Sequence, residues 1–233
     1  MCILYCVMER KLQFAIGEYY HVYSRGVEKR NIFHSDADRM RFIKLLFLAN
    51  NTKQFVFRDV EHLALKDIDR GDGLVAIGAY CLMPNHFHIL VKPTAENGLS
   101  VFMQKLTTGY SAYFNKKHNR VGPLFQSRFK AEHVNQDRYL KYLFAYIHLN
   151  PIKLIEPMWK EKGIHNVERA KQFLKDYRHS SYQDYVNNDG DSDREETLIL
   201  SKNEFPKYFE SMTDHTELIN ELLNYDHSVI DHT

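Results

Sequence analysis

The feature that most constrains the fold is a pair of apolar segments separated by a short turn. The first segment, residues 75–82, has the sequence VAIGAYCL, and the second, residues 86–91, has the sequence HFHILV. Pro84-Asn85 lies between them and suits a tight turn, because proline presets φ and asparagine tolerates unusual backbone angles. The sequence therefore predicts a β-hairpin whose second strand begins with two histidines.

His86 and His88 are two positions apart in that second strand. Because strand side chains alternate between faces, both imidazoles should point one way while Phe87, Ile89 and Val91 point the other way, into a core. Two neighbouring imidazoles are half of a metal site. The alternative is that they are two half-exposed polar residues on a solvated face of the sheet.

Four further elements are predicted ahead of the hairpin. Residues 19–24, rich in aromatic and β-branched side chains, favour a first strand. Ser35 is a candidate N-cap for a helix from about Asp36 to Ala49, which has a regular apolar face. Residues 54–57 favour a weaker strand, and residues 59–73 favour a loop or a short helix.

The segment after the hairpin is basic and aromatic. Ser100 is a candidate cap for a helix over about 101–117, and Gly122-Pro123 predicts a loop. From Leu99 to Ala131 there is no Asp or Glu. Cations neutralise phosphates and aromatic faces stack on exposed bases, so this composition is typical of single-stranded nucleic-acid binding, although any single aromatic residue could instead belong to the core. The candidate nucleic-acid contacts are Arg25, Lys105, Lys116, Arg120, Arg128 and Lys130.

Residues 137–150 predict an amphipathic helix with two stripes. The apolar stripe consists of Leu140, Leu143, Phe144 and Ile147. The second stripe consists of Tyr139, Tyr142, Tyr146 and Asn150. Pro151 should end the helix, because the residue before a proline is pushed out of the α region, and the Asn150 amide could then turn toward a ligand. The alternative is a tyrosine-rich boundary with a packing role only.

The charge is divided unevenly along the chain. Residues 184–233 contain 13 acidic residues and 3 Lys or Arg, whereas the other 183 residues contain 17 acidic and 28 basic. This division predicts a polyanion-binding body with an acidic tail, the alternative being two solvated surfaces of opposite sign. We expect an N-terminal extension (1–14), a main domain (15–185) and an acidic linker with a helical tail (186–233). Trp159 and the stretch Tyr177–Tyr185 should pack on the body.

The cysteines indicate the compartment. Cys2, Cys6 and Cys81 form neither a disulfide framework nor a paired zinc pattern, which favours a reducing cytoplasm. The apolar stretch at residues 2–8 is too short to span a bilayer. We therefore expect an intracellular protein, cytoplasmic and nucleoid-associated, with no membrane partner.

Several motifs, taken in order, carry a resemblance to a known family. They are Arg25-Gly26, M-P-N-H-F-H-I-L-V at 83–91, G-P-L-F-Q-S-R-F-K at 122–130, Y-I-H-L-N-P at 146–151 and Ser180-Ser181-Tyr182. Together they resemble the REP-associated tyrosine transposases. These are single-tyrosine members of the HUH endonucleases, which are named for a histidine–hydrophobic–histidine motif. The resemblance extends over about residues 15–185.

The resemblance implies an α+β fold, with a ferredoxin-like or RRM-like antiparallel sheet and packed helices. It implies that His86 and His88 hold a divalent metal, Mg²⁺ or Mn²⁺, with Asn150 as the third ligand. It also implies that Tyr146 is the nucleophile. Tyr110 and Tyr113 are rival tyrosines, but the partner asparagine does not follow them.

The activity implied is that of a metal-dependent single-stranded DNA endonuclease and strand-transferase, a transposase that forms a 5′-phosphotyrosine. The implied substrate is single-stranded DNA folded into REP-like palindromic hairpins, and a homodimer is possible. Two other functions fit the same residues. One is a non-catalytic protein that binds DNA hairpins, and the other is a His-dependent metal phosphodiesterase that uses water as the nucleophile.

Overall fold

Four strands form one antiparallel sheet. The computed structural model describes residues 13–53, 56–186 and 194–206. The strands are β1 (Tyr19–Arg25), β2 (Val75–Met83), β3 (His86–Pro93) and β4 (Lys130–Val134), in the spatial order β2-β3-β1-β4. Strands β2 and β3 are the predicted hairpin. The architecture confirms the predicted α+β class with helices packed on an antiparallel sheet.

Helices fill the connections. The described residues contain α1 (Asp36–Ala49), α2 (Phe57–Val60), α3 (Gly98–Lys117), α4 (Asp137–Leu149), α5 (Trp159–Lys162), α6 (Val167–Asp176) and α7 (Gln183–Val186). Short 3₁₀ helices lie at Val27–Lys29, Leu65–Asp67, Asn150–Leu154, Glu195–Ile199 and Lys202–Glu204. No helix within these described ranges is long and apolar enough to cross a membrane.

Two local predictions are wrong. Of the strand predicted at 54–57, the structure describes residues 56 and 57, and they form no strand. Phe57 instead begins helix α2, and its ring lies under the Arg41 guanidinium of α1. The cap of α3 is Asn97 rather than Ser100, so the helix begins earlier than predicted. Asn97 adopts a left-handed conformation with φ of 55°, which asparagine tolerates better than most residues.

The predicted start of α1 is a capping box that also joins α1 to α3. The Ser35 hydroxyl accepts a hydrogen bond from the Asp38 N–H at 3.3 Å, and the Asp38 carboxylate accepts one from the Ser35 N–H at 3.0 Å. From α3, Lys117 and Tyr113 donate to the same buried carboxylate at 2.7 and 3.1 Å. Burial raises the pKa of Asp38, but the hydrogen bonds from Lys117, the His34 N–H and Tyr113 outweigh burial and hold that pKa below its usual range.

The two faces of the sheet contribute to two different cores. Phe87 and Ile89 pack with α1 and α3, whereas Cys81 and Met83 pack with α4 on the opposite face. The histidines of β3 belong to the α4 face, since Cys81 pairs with His88 in the β2–β3 register. His88 is fully buried. His88 therefore does not lie on a solvated face, because helix α4 covers it, whereas His86 at the start of β3 is half-buried.

Helix α4 has the predicted apolar stripe, and all four of its members are buried. Its end differs from the prediction. The α-helix does stop at Leu149, but Asn150 keeps α-region angles (φ −52°, ψ −38°), and the chain continues as a 3₁₀ helix to Leu154. Pro151 is tolerated because it occupies the first turn of that 3₁₀ helix, where its missing N–H needs no partner.

Later segments cover the free edge of β2. The Ser181 N–H donates to the Tyr80 carbonyl at 3.0 Å, and the Ser201 N–H donates to the Ile77 carbonyl at 2.9 Å. The Phe205 ring occupies the space beside Gly78, where an added Cβ would lie 2.6 Å from it. Residues 194–206 thus pack on the body and protect a sheet edge.

The segment after α4 confirms one prediction, and others remain untested. Trp159, Tyr182 and Tyr185 are buried, as expected for a segment that packs on the body. The N-terminal extension up to residue 12, the linker at 187–193 and the tail at 207–233 lie outside the described residues. The proposed domain boundaries therefore stay a prediction.

Candidate active site

A small cavity of about 160 Å³ lies between the α4 helix and the histidine end of β3. Helix α4, strands β1 and β3, the loop before β4 and the turns after α4 all contribute to it. Its lining consists of Tyr23, Ser24, Arg25, His86, His88, Gln126, Ser127, Lys130, Tyr146, Asn150, Lys153 and Lys160. The structure thus brings together His86 and His88 of β3, Tyr146 of α4 and Asn150 of the following 3₁₀ helix.

The two imidazoles lie side by side, with ring centroids 4.9 Å apart and planes at 89°. The side-chain oxygen Oδ1 of Asn85 lies 2.6 Å from Nδ1 of His86, while the side-chain nitrogen Nδ2 of Asn85 donates to the Lys29 backbone carbonyl at 3.0 Å. Since an amide oxygen only accepts, His86 carries its proton on Nδ1 and has its lone pair on Nε2. His88 is engaged through Nδ1, and its buried Nε2 has no hydrogen-bond partner within the described part of the chain.

Both histidines are neutral at physiological pH. Burial, together with the positive charges of Arg25, Lys153 and Lys160, lowers the pKa of His86 to about 3. Burial also lowers the pKa of His88 well below its ordinary value, and the neighbouring His86 adds to the effect. Neutral imidazoles with available lone pairs are suitable metal ligands.

A buried polar atom without a partner requires an explanation, and a bound ion is one. No group of three or more His, Cys, Asp and Glu side chains suitable for a metal occurs in the described ranges. A third protein ligand beside the histidines would therefore be of another type. Asn150 supplies an amide at the cavity wall, where its side chain is buried.

The Tyr146 ring makes a T-shaped contact with the His88 ring. Its centroid lies 5.4 Å from that of His88 with an interplanar angle of 80°. The Lys160 ammonium lies 4.3 Å from the Tyr146 ring centroid on the ring face. The residue is largely buried but still lines the cavity.

The rival tyrosines lie on the other face of the sheet. Tyr110 is buried in the core beneath α1 and α3, where its hydroxyl donates to the Ile32 carbonyl at 2.5 Å. The Tyr113 hydroxyl donates to the Asp38 carboxylate. Neither lines the cavity, so its geometry favours Tyr146.

The predicted nucleic-acid contacts divide into two groups. Arg25 and Lys130 line the cavity, and Arg128 lines a neighbouring groove. The others lie along or just beyond α3. There, Lys105 donates to Asn51 and Arg120 donates to Asn115, while Lys116 is exposed.

The groove is a larger cavity of about 840 Å³ between α3 and the loop at 122–129. Its walls combine hydroxyl and amide side chains of α3 with aromatic rings, and they contain no acidic residue. The lining consists of Phe14, Asn97, Ser100, Gln104, Thr107, Thr108, Ser111, Ala112, Asn115, Gly122, Pro123, Leu124, Phe125, Ser127, Arg128 and Phe129. Ser127 lines both cavities, so the groove adjoins the candidate active site.

Some residues of the cavity are not among the predicted site residues. Lys153 lies seven positions after Tyr146, and the 3₁₀ continuation past Pro151 carries it toward the same cavity. Extending the helical spacing of α4 past Pro151 would have predicted that Lys153 lies on the same side as Tyr146. Lys160 is brought in by the turn before α5 and has no local signal in the sequence.

Among solved structures, the chain is similar to a REP-associated tyrosine transposase bound to a REP hairpin. The identity is 13%, the TM-score is 0.46, and the similarity covers 75% of this chain and 82% of that chain. A comparison with curated proteins found no match.

The family comparison supports the resemblance seen in the motifs. Residues 17–150, more than half of the chain, match the family described as "Transposase IS200 like". The matched range extends from the start of the β1 region to Asn150 and includes the histidine pair and Tyr146. The chain belongs to the IS200-like transposase family.

Proposed function

We propose that this protein is a metal-dependent single-stranded DNA endonuclease and strand-transferase in which Tyr146 forms a 5′-phosphotyrosine. One observation supports the proposal most strongly. A tyrosine, two neutral imidazoles and an amide share one small cavity, whose wall also contains lysine and arginine side chains. This combination suits a reaction at a phosphodiester, where a nucleophile and positive charge must act on one phosphorus atom.

The residues present fit a divalent cation. His86 and His88 would hold it through their Nε2 atoms and Asn150 through its side-chain oxygen, leaving other positions for substrate and water. Mg²⁺ and Mn²⁺ both accept such a set, and the imidazole pair favours Mn²⁺. The bound ion would supply Lewis-acid polarisation of a phosphate oxygen.

In the reaction, the Tyr146 oxygen forms a bond to phosphorus and the bond from phosphorus to the 3′ oxygen breaks. The phenol loses one proton, and the leaving 3′ oxygen gains one. The DNA then has a 5′ phosphate joined to Tyr146 and a free 3′-OH. Attack by a second 3′-OH on the same phosphorus reverses the step and joins two strands without ATP, because the phosphodiester bond energy is retained.

The cations of the cavity have defined tasks in this proposal. Arg25 and Lys130 would neutralise the phosphates beside the scissile one, and Lys153 and Lys160 would attract the scissile phosphate toward Tyr146. The adjoining groove has hydroxyl and amide groups for base edges and aromatic rings for stacking, so it suits unpaired nucleotides next to a hairpin stem. The hairpin itself is expected from the motif resemblance.

The test uses a labelled single-stranded DNA hairpin with unpaired flanks, incubated with the full chain and Mn²⁺. We expect a covalent adduct that survives SDS, and Tyr146→Phe should abolish it. Tyr142→Phe is the matched control, because Tyr142 lies one turn earlier on the same helix with its ring stacked on that of Tyr146 at 6.0 Å.

The other outcomes identify the alternatives. Cleavage that persists in Tyr146→Phe would refute the proposal and indicate a metal phosphodiesterase that uses water. Hairpin binding without any cleavage in the wild-type chain would indicate a non-catalytic binding protein.

A further inference from the structure

A line of polar side chains extends from His88 away from the cavity. His21 of β1 lies on the side of His88 that faces away from the cavity. Its Nε2 atom is 2.9 Å from Nδ1 of His88, and the two rings are stacked with centroids 5.1 Å apart. On the far side of His21, Nδ1 lies 3.9 Å from a carboxylate oxygen of Glu132 in β4. The line thus crosses three neighbouring strands, β3, β1 and β4.

Glu132 is held in place by two hydroxyl groups. Tyr23 of β1 donates to one carboxylate oxygen at 2.6 Å, and Tyr139 of α4 donates to the other at 3.3 Å. The interactions with His21, Tyr23 and Tyr139 together lower the pKa of Glu132 to about 2, against the opposing effect of burial. Glu132 is therefore a carboxylate at neutral pH and can only accept hydrogen bonds.

His21 and His88 are both buried, and burial lowers the pKa of each ring. Two neutral rings joined through one nitrogen each must share a single proton between those nitrogens. If His21 donates, its Nδ1 lone pair faces the negative Glu132, and the His88 proton sits on Nε2 in the cavity. If His88 donates, the His21 proton sits on Nδ1 and faces Glu132, which is electrostatically favourable.

We propose that Glu132 and His21 are positioning residues that select the His88 tautomer with its proton on Nδ1 and its lone pair on Nε2, directed to a divalent cation. The inference rests on the proposed metal site and extends it to two residues that do not touch the cation. It accounts for the one ring nitrogen of His88 that lacks a partner in the described residues. Outer residues of this kind fix the orientation and basicity of a metal-binding histidine.

The first experiment reads the tautomers in the metal-free full chain by two-bond ¹H–¹⁵N NMR correlation of the histidine rings. We expect a proton on Nδ1 of both His21 and His88. In Glu132→Gln the new amide can donate to Nδ1 of His21, so the proton order should reverse and place the His88 proton on Nε2. A wild-type His88 protonated on Nε2, or a Glu132→Gln spectrum like that of the wild type, would overturn the proposal.

Tyr139→Phe is the matched control, because it removes a hydrogen bond to Glu132 but leaves the negative charge that faces His21. Its histidine tautomers should match those of the wild type. Glu132→Asp keeps the negative charge, so the wild-type tautomer should persist in this variant. It is the variant to use at this position if Glu132→Gln does not fold. A reversed tautomer in either control would also contradict the proposal.

The second experiment measures Mn²⁺ binding by calorimetry in the absence of DNA. Glu132→Gln should weaken binding about 10- to 100-fold, the usual effect of losing an outer partner of a metal-binding histidine. Tyr139→Phe should bind like the wild type. Unchanged Mn²⁺ affinity in Glu132→Gln would refute a positioning role.

The two experiments separate this inference from the proposed function. Suppose that the tautomers behave as expected but that Mn²⁺ binds neither to the wild type nor to the His86→Ala variant. The proposed metal function then fails, while the selection of the His88 tautomer by Glu132 and His21 stands. If Mn²⁺ binds and the tautomers do not depend on Glu132, the positioning role fails alone.

Discussion

Removing the charge of Lys160 should slow DNA cleavage without unfolding the protein. Its ammonium lies 4.3 Å from the Tyr146 ring centroid, over the ring that carries the oxygen proposed to attack phosphorus. In the proposed reaction negative charge develops on the phenol oxygen and on the phosphate, and a nearby cation stabilises it. The substitution Lys160→Met keeps most of the side-chain length and removes only the charge.

The magnitude follows from the distance. Two unit charges 4.3 Å apart attract by about 4 kcal/mol at an effective dielectric constant of about 20. Lys160 is partly exposed and lies over the ring rather than at the oxygen, so we discount this value to about 1.5–2 kcal/mol. The cleavage rate should then fall about 10- to 30-fold.

The assay is single-turnover cleavage of the labelled hairpin at saturating DNA and Mn²⁺, with folding checked by circular dichroism. The matched control is Lys162→Met, because Lys162 lies two residues later in the same helix, is exposed and does not line the cavity. Equal cleavage rates in the two variants would refute the reasoning. So would a Lys160→Met variant that binds DNA more weakly but cleaves at the normal rate once saturated.

Three further predictions concern the body and the tail. Asp38→Asn should lose about 1–3 kcal/mol of unfolding free energy at pH 7. Because the folded pKa of Asp38 lies below the ordinary value of 3.8, its stabilisation is complete above that pH and declines as the pH falls, so urea unfolding should show the two proteins converging in acid. Phe205→Ala should cost about 3–5 kcal/mol in urea unfolding, since the buried ring fills the space beside Gly78; a loss below 1 kcal/mol would mean that this segment does not contribute to the core. Deleting residues 207–233, which contain 6 acidic residues and 1 Lys, should tighten non-specific binding of single-stranded DNA at low salt and steepen its salt dependence. If a fluorescence titration shows unchanged binding, the acidic tail does not restrain DNA binding by the body.

Periodicity in the sequence predicts most of the frame. The hairpin follows from two apolar segments joined by a turn, with strand side chains alternating between the two faces, and the helices α1 and α4 follow from 3.6-residue patterns. The same alternation places His86 and His88 on one face, and the helical spacing places Tyr146 and Asn150 one turn apart. These are local relations, so they can be derived without knowing the tertiary structure.

Other parts of the site depend on distant contacts and are not predictable in this way. Glu132 stands opposite His21 only through the β1–β4 register, which no local pattern contains. Lys160 reaches Tyr146 through a turn outside any periodic segment. The acid-free segment 99–131 also does not show which of its cations are engaged inside the protein: Lys105 and Arg120 make hydrogen bonds within it, and their contact with DNA stays a prediction.

The attachment of α4 to the sheet has a consequence for the order of events in strand exchange. Leu143, Phe144 and Ile147 are almost fully buried, and exposing these three side chains alone would cost roughly 5–9 kcal/mol. A DNA end joined to Tyr146 would therefore stay anchored beside the histidines throughout the life of the covalent intermediate. In the proposed reaction the free 3′ end is then the partner that travels, so the rate of joining should depend on the length and stiffness of the DNA between the two ends rather than on a movement of the protein.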